Sequence, residues 1–163
     1  MRKIDLHIHT CPTISDHPFV FSLEALQQYV SNYHLDAIAI TNHNVFNESQ
    51  FQEIRTTLSI PVFPGIEVDI ESGHLLVISD LADIDDFVVH CNQIWHYNNA
   101  SRTSRITEDQ FISAFPDYKK YILIPHYLLH RKNERMIWFR FFLVTGVLVP
   151  LLKTLIIAKP ILI

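Results

Sequence analysis

The spacing of polar and apolar side chains divides the first 127 residues into short strands and amphipathic helices. Residues 3–9 alternate, with Ile4, Leu6 and Ile8 set against Asp5, His7 and His9, and predict a strand. Ser22 is a good N-cap, and Leu23, Leu26 and Val30 then share one helical face, which predicts a helix from residue 22. The run Ala37-Ile38-Ala39-Ile40 predicts a buried strand, and residues 48–58 a second helix. Two more strands are expected over 60–67 and 74–79. Residues 83–97 read as a helix with acids in its first turn, and Thr107 opens another helix with a capping pattern. A fifth strand is expected over 121–126. Strands alternating with helices predict an α/β architecture with a parallel sheet.

The pattern breaks near residue 128. Beyond it stand six bases and one acid, Glu134, and residues 136–163 are almost wholly apolar. The chain therefore divides into a domain over 1–127 and an apolar, basic tail over 128–163. Three readings of the tail stay open: a membrane segment around 141–157, a buried terminal element, or a stretch not native to this fold, as in a truncated or frameshifted product. A span needs about 20 apolar residues, and the charge-free run is shorter unless Arg140 or Lys153 snorkels.

Composition narrows the chemistry. The formal charge of -4 gives no clear nucleic-acid patch. Cys11 and Cys91 are too few and too far apart for a disulfide framework or a cysteine zinc site, which fits a cytoplasmic protein. Asp5, His7 and His9 interrupt any signal-peptide core. No phosphate-binding Gly-x-x-x-x-Gly-Lys loop and no Gly-x-Ser-x-Gly elbow is present.

The ten histidines carry more information. His7 and His9, two apart on a strand, face one side and reach one metal at about 2.1 Å. Taken alone, that pair also fits two polar residues facing solvent. Asp5 is expected on the same side, as a carboxylate that orients a histidine. Asp16 and His17 lie in the loop that follows. His43 comes straight after the apolar strand 37–40, Glu67 ends the next strand, His74 opens the fourth, and His126 ends the fifth. Asp69 and Glu71 alternate with apolar residues and read as a solvated face, and His34, His90, His96 and His130 lack a comparable setting. Histidines and acids gathered at strand ends lie where α/β proteins place their ligands.

In order, Asp5-Leu-His-Ile-His-Thr10, Ser15-Asp16, Ile40-Thr-Asn-His-Asn44, Pro64-Gly-Ile-Glu67, Gly73-His-Leu-Leu76 and Ile124-Pro-His126 resemble the polymerase and histidinol phosphatase (PHP) family over residues 1–127. The resemblance implies an incomplete, distorted (β/α)7 barrel and two or three divalent ions (Mn, Zn or Fe). It implies that His7 and His9 hold a first metal, that Glu67 bridges, and that His74 and His126 serve a second. Asp16 and His43 match further ligand positions. It also implies hydrolysis of a small-molecule or nucleotide phosphate ester by a metal-activated water. In such a site, metal chemistry leaves His43 or His17 as the candidates to protonate the leaving oxygen. Two departures stand out. Asn42 replaces the usual aspartate, and no late Asp-x-His or Asn-x-His follows His126. The second departure keeps a rival open: a catalytically impaired, non-catalytic module of an ATPase-linked system.

Overall fold

A computed structural model describes residues 2–128, with 155–156 and 161–162. The chain forms a mixed α/β fold around a curled half-barrel sheet of five main strands. In chain order these are β1 (Lys3–His9), α1 (Leu23–Tyr33), β2 (Ala37–Ile40), α2 (Glu48–Thr57), β3 (Val62–Ile70) and β4 (Gly73–Ile78), then α3 (Ile84–Ser101), α4 (Glu108–Ala114) and β5 (Ile122–Leu128). Two-residue strands at Leu155–Ile156 and Ile161–Leu162 lie parallel beside β1. The remainder of the apolar tail, with the membrane and non-native readings made for it, lies outside the described residues. Among the described residues no helix is long and apolar enough to cross a membrane.

Local signals place the helices. The Ser22 side chain accepts a hydrogen bond from the Ala25 amide and starts α1, and Asn47 does the same for α2 through Gln50. Thr107 and Gln110 form a reciprocal capping box at α4. Capping satisfies amides that the helix itself leaves without partners.

The sheet corrects the expectation of a parallel (β/α)7 barrel. The strands β1, β2 and β3 are parallel, but β3–β4 and β4–β5 are antiparallel. The reason is the connection after β3. Ile70 pairs with Gly73, so only Glu71 and Ser72 join the two strands. A link that short closes a hairpin, whereas a parallel neighbour needs a crossover of a dozen residues or more. β5 returns to the open side of β4 after the long helical excursion through α3 and α4.

Two apolar clusters cover the outer face of the sheet. Ile8, Leu26, Ile38, Ile40, Phe51 and Ile54 join β1 and β2 to α1 and α2. Val68, Ile70, Leu75, Val77, Phe87 and Phe111 join the hairpin to α3 and α4. On the concave face Leu6, Ala39 and Ile78 pack with Ile4, Phe63 and Ile124 to form a small apolar floor.

A bulge in β1 decides what stands above that floor. Asp5 pairs with Ile38 and Ile8 with Ile40, so three steps along β1 match two along β2. The additional residue breaks the alternation. Leu6 joins the inner floor while Ile8 joins the outer core. Asp5 is left on the outer side, where its carboxylate accepts from Tyr29 Oη of α1 at 2.7 Å and from the His7 amide at 2.9 Å. Asp5 therefore ties β1 to α1 and does not share a side with the His7 and His9 rings.

β2 and β3 approach closely at Gly65. A Cβ there would lie 2.7 Å from Thr41 Cγ2 and 3.0 Å from the Ile40 carbonyl oxygen. Gly65→Ala is therefore expected to cost about 1–3 kcal/mol, the usual range for overpacking. Thr41→Ser removes the nearest atom, so the double variant should recover part of the loss. Urea unfolding of both single variants and the pair measures the coupling.

Candidate metal centre

β3 supplies the middle of the site. Its alternation sends Ile66, Val68 and Ile70 to the outer core and leaves Glu67 and Asp69 on the concave side with Phe63. Both acids are buried, at 1% and 2% exposure. Residues 42–44, just beyond β2, are held beside Glu67. The Glu67 amide donates to the Asn42 carbonyl at 3.0 Å, and the Asn44 amide donates to the Glu67 carbonyl at 2.8 Å. This places His43 alongside Glu67.

Four imidazoles converge on the Glu67 carboxylate. Oε2 lies 2.7 Å from His7 Nε2, 2.9 Å from His9 Nε2 and 3.5 Å from His43 Nε2. Oε1 lies 2.8 Å from His74 Nδ1. His7 Nε2 and His9 Nε2 are 3.0 Å apart. Further carboxylates stand behind the rings. Asp16 Oδ1 is 2.7 Å from His9 Nδ1, and Asp69 Oδ1 is 2.7 Å from His43 Nδ1 and 3.5 Å from His74 Nδ1. The loop after β1 is fastened over the site by Ser15 Oγ, which donates to Asp69 Oδ2, and by Thr13, whose amide and hydroxyl donate to Asp16 Oδ2.

The donor set can be tested against a divalent cation. A carboxylate at Nδ1 fixes the proton there and turns the Nε2 lone pair outward. For His9 and His43 that lone pair faces Glu67 Oε2, which is itself an acceptor. Two acceptors at 2.9 Å repel unless a positive charge sits between them: a proton on the ring or a metal ion. Ligand atoms on a tetrahedral ion at about 2.1 Å lie about 3.4 Å apart, so small outward shifts of His7, His9 and Glu67 suffice. Three groups of side chains can each hold an ion: His7, His9 and Glu67; His9, Asp16 and His43; His43, Asp69 and His74. The residues present fit divalent metal.

Of the residues singled out in the sequence, His7, His9, Asp16, His43, Glu67 and His74 come together here. The backbone of His126 pairs with His74 in the β4–β5 ladder, and its side chain lies outside the described residues. His17 is exposed and takes part in none of the contacts above. Asn42 stands outside the donor set. Its Oδ1 accepts from the amides of Thr10 and Cys11 at 2.6 and 2.8 Å and pins the chain where it leaves β1. A neutral amide oxygen performs that task, so the asparagine removes no contact from the cluster.

Asp69 corrects the reading of a solvated face. Only Glu71 is exposed, while Asp69 belongs to the site. The available signal was its period-two spacing from Glu67, which puts both on one side of a strand. Ser15 was legible only as part of the Ser-Asp pair. No protein-family model matches the chain. A search of curated proteins likewise returns no match.

Protonation responds to this arrangement. Burial alone would raise the Glu67 pKa, but hydrogen bonds from His7, His74 and His9 hold it far below the carboxylate range. Burial lowers the His9 pKa, and Glu67 and Asp16 outweigh it, so the net shift is upward. His74 is raised chiefly by its hydrogen bond to Glu67. In the metal-free chain a raised histidine stabilises fully below its ordinary value of 6.5, and that contribution is lost as pH climbs through the folded value. The depressed Glu67 acts oppositely, stabilising above its ordinary 4.5 and losing this as pH falls. Metal competes with the ring protons. The metal-free Tm should therefore fall as pH rises above about 6.5, while the Tm increment given by Mn²⁺ should grow in the same direction. Thermal scans with EDTA and with Mn²⁺ at a series of pH values measure both trends.

Proposed function

We propose that the chain is a metal-dependent phosphoesterase, related to the PHP family through its ordered motifs. One observation carries the reading: three histidine Nε2 atoms surround one oxygen of Glu67 while His74 takes the other. A carboxylate has two oxygens with which it would serve neighbouring cations, and a single imidazole nitrogen has no second donor. When bound, divalent ions supply Lewis acidity and lower the pKa of water from 15.7 towards about 7.

The chain's own residues do the rest. His7, His9 and Glu67 would hold one ion, and His43, Asp69 and His74 would hold a second. Asp16 and Asp69 keep the His9 and His43 rings turned inward through Nδ1. The apolar floor of Leu6, Ala39 and Ile78 excludes water beneath the cluster and strengthens its electrostatics. His43 and His74, at 8% and 22% side-chain exposure, are the rings that a substrate can approach. His43 is the residue we assign to proton exchange with the leaving oxygen, since Asp69 holds its ring by Nδ1 at the accessible side of the cluster. His17 is exposed and lacks such a partner among the described residues.

Metal analysis of the purified chain, beside hydrolysis of p-nitrophenyl phosphate and bis-p-nitrophenyl phosphate with Mn²⁺, tests the proposal. Two or more equivalents of metal and turnover of either ester are expected, both lost in His7→Ala/His9→Ala and in Glu67→Gln. Asp16→Asn should weaken metal binding about 10–100-fold. A wild-type chain that holds metal and hydrolyses neither ester would instead describe a non-catalytic module. One that takes up no metal ends the reading.

A further inference from the structure

The segment 103–106, between α3 and α4, is built against the site. The Ser104 carbonyl accepts from Asn44 Nδ2 at 2.8 Å. The Ile106 amide donates to the Asp69 carbonyl, and its carbonyl accepts from the Glu71 amide, both at 3.0 Å. Ile106 is 1% exposed and packs in the core of β3 and β4. Between these anchors Thr103 Oγ1 accepts from the Arg105 amide and donates to the Arg105 carbonyl. Asn44 clamps the arrangement from the other side. It adopts φ 55, which is costly for a residue with a Cβ. Its side chain offsets that cost with bonds at both ends, accepting from the Asp69 amide at 2.9 Å and donating to Ser104. The segment thus spans the neighbour of His43 and Asp69 itself.

Arg105 lies between the two anchored residues and is exposed while Ile106 turns inward. Its guanidinium donates to no acceptor among the described residues and forms no salt bridge there. Lys120 is held by Asp83, Asp86 and Asp117, Lys3 by the Tyr33 carbonyl and Arg55 by Gln52. Ile106 pairs with Ile70 and shares its outer face, so Arg105, one residue earlier, stands on the same face as Asp69.

We propose that Arg105 binds the phosphoryl group of the substrate, held by the segment 103–106 at the His43–His74 side of the site; this rests on the phosphoesterase reading above. The protein groups at the centre are imidazoles and carboxylates, and the carboxylates repel an anion wherever metal does not neutralise them. A guanidinium on the rim offers a planar fork of N–H donors that matches two phosphoryl oxygens at once. Lysine keeps the charge and loses the fork.

Titration calorimetry with inorganic phosphate tests this on the full chain, with and without Mn²⁺, for wild type, Arg105→Ala, Arg105→Lys and Lys119→Ala. Lys119 is a suitable control. It precedes β5, whose Ile122 pairs with Ile78, four residues along β4 from His74, or roughly 13 Å. Arg105→Ala should raise the phosphate Kd about tenfold or more, and Arg105→Lys by less. Lys119→Ala should stay within about twofold, and bound metal should be unchanged in all. Unaltered affinity in Arg105→Ala, an equal loss in Lys119→Ala, or no phosphate binding by the wild type would each overturn the assignment. Failure of the metal reading appears separately, as absent metal in the wild type, and leaves the metal-free titrations to report on Arg105.

Discussion

The Glu67 carboxylate organises the molecule. One buried acid meets four imidazoles, and the segments supplying them, β1, the turn after β2, and β4, are fixed relative to one another by that contact. Such a buried charge is tolerable only when its neighbours are arranged to stabilise it. The carboxylates behind His9 and His43 show the same constraint one layer out. They set which ring nitrogen carries the proton and so make the inner face of the cluster rich in lone pairs. The demand for positive charge at the centre follows from this arrangement of acceptors around Glu67.

The sheet is shaped to present this cluster. Parallel pairing brings the ends of β1, β2 and β3 to one side, and the tight hairpin folds His74 back beside Asp69 in direct register. Glu67 and Asp69 on one strand and His74 on its neighbour therefore form a continuous patch on the concave face. Antiparallel geometry lets two strands that adjoin in sequence share a site without a crossover helix.

Much of this was legible in the chain. The strand over 3–9, the Ser22 cap, the apolar strand 37–40 and the Thr107 capping pattern all appear where local chemistry puts them. The residues of the cluster were marked by their position beside apolar runs. Strand direction was misjudged, because strand–helix alternation was extended across a connection only two residues long. Asp69 was misread because an acid among alternating apolar residues looks the same whether its face meets solvent or a buried site. The outward turn of Asp5 was not legible at all. A bulge depends on how two strands pair, and no property of residues 5–8 alone announces it.

That bulge means the site is specified by counting as much as by composition. The additional residue in β1 is what turns His7 and His9 inward while Asp5 remains beside Tyr29. Exchange of one apolar residue for another in this stretch leaves the count intact. Loss or gain of one residue keeps every histidine in the sequence yet reverses which side it occupies. The strand would survive such a change and the cluster around Glu67 would not. Length variation in β1 is therefore far more restrictive for this protein than variation in side-chain identity.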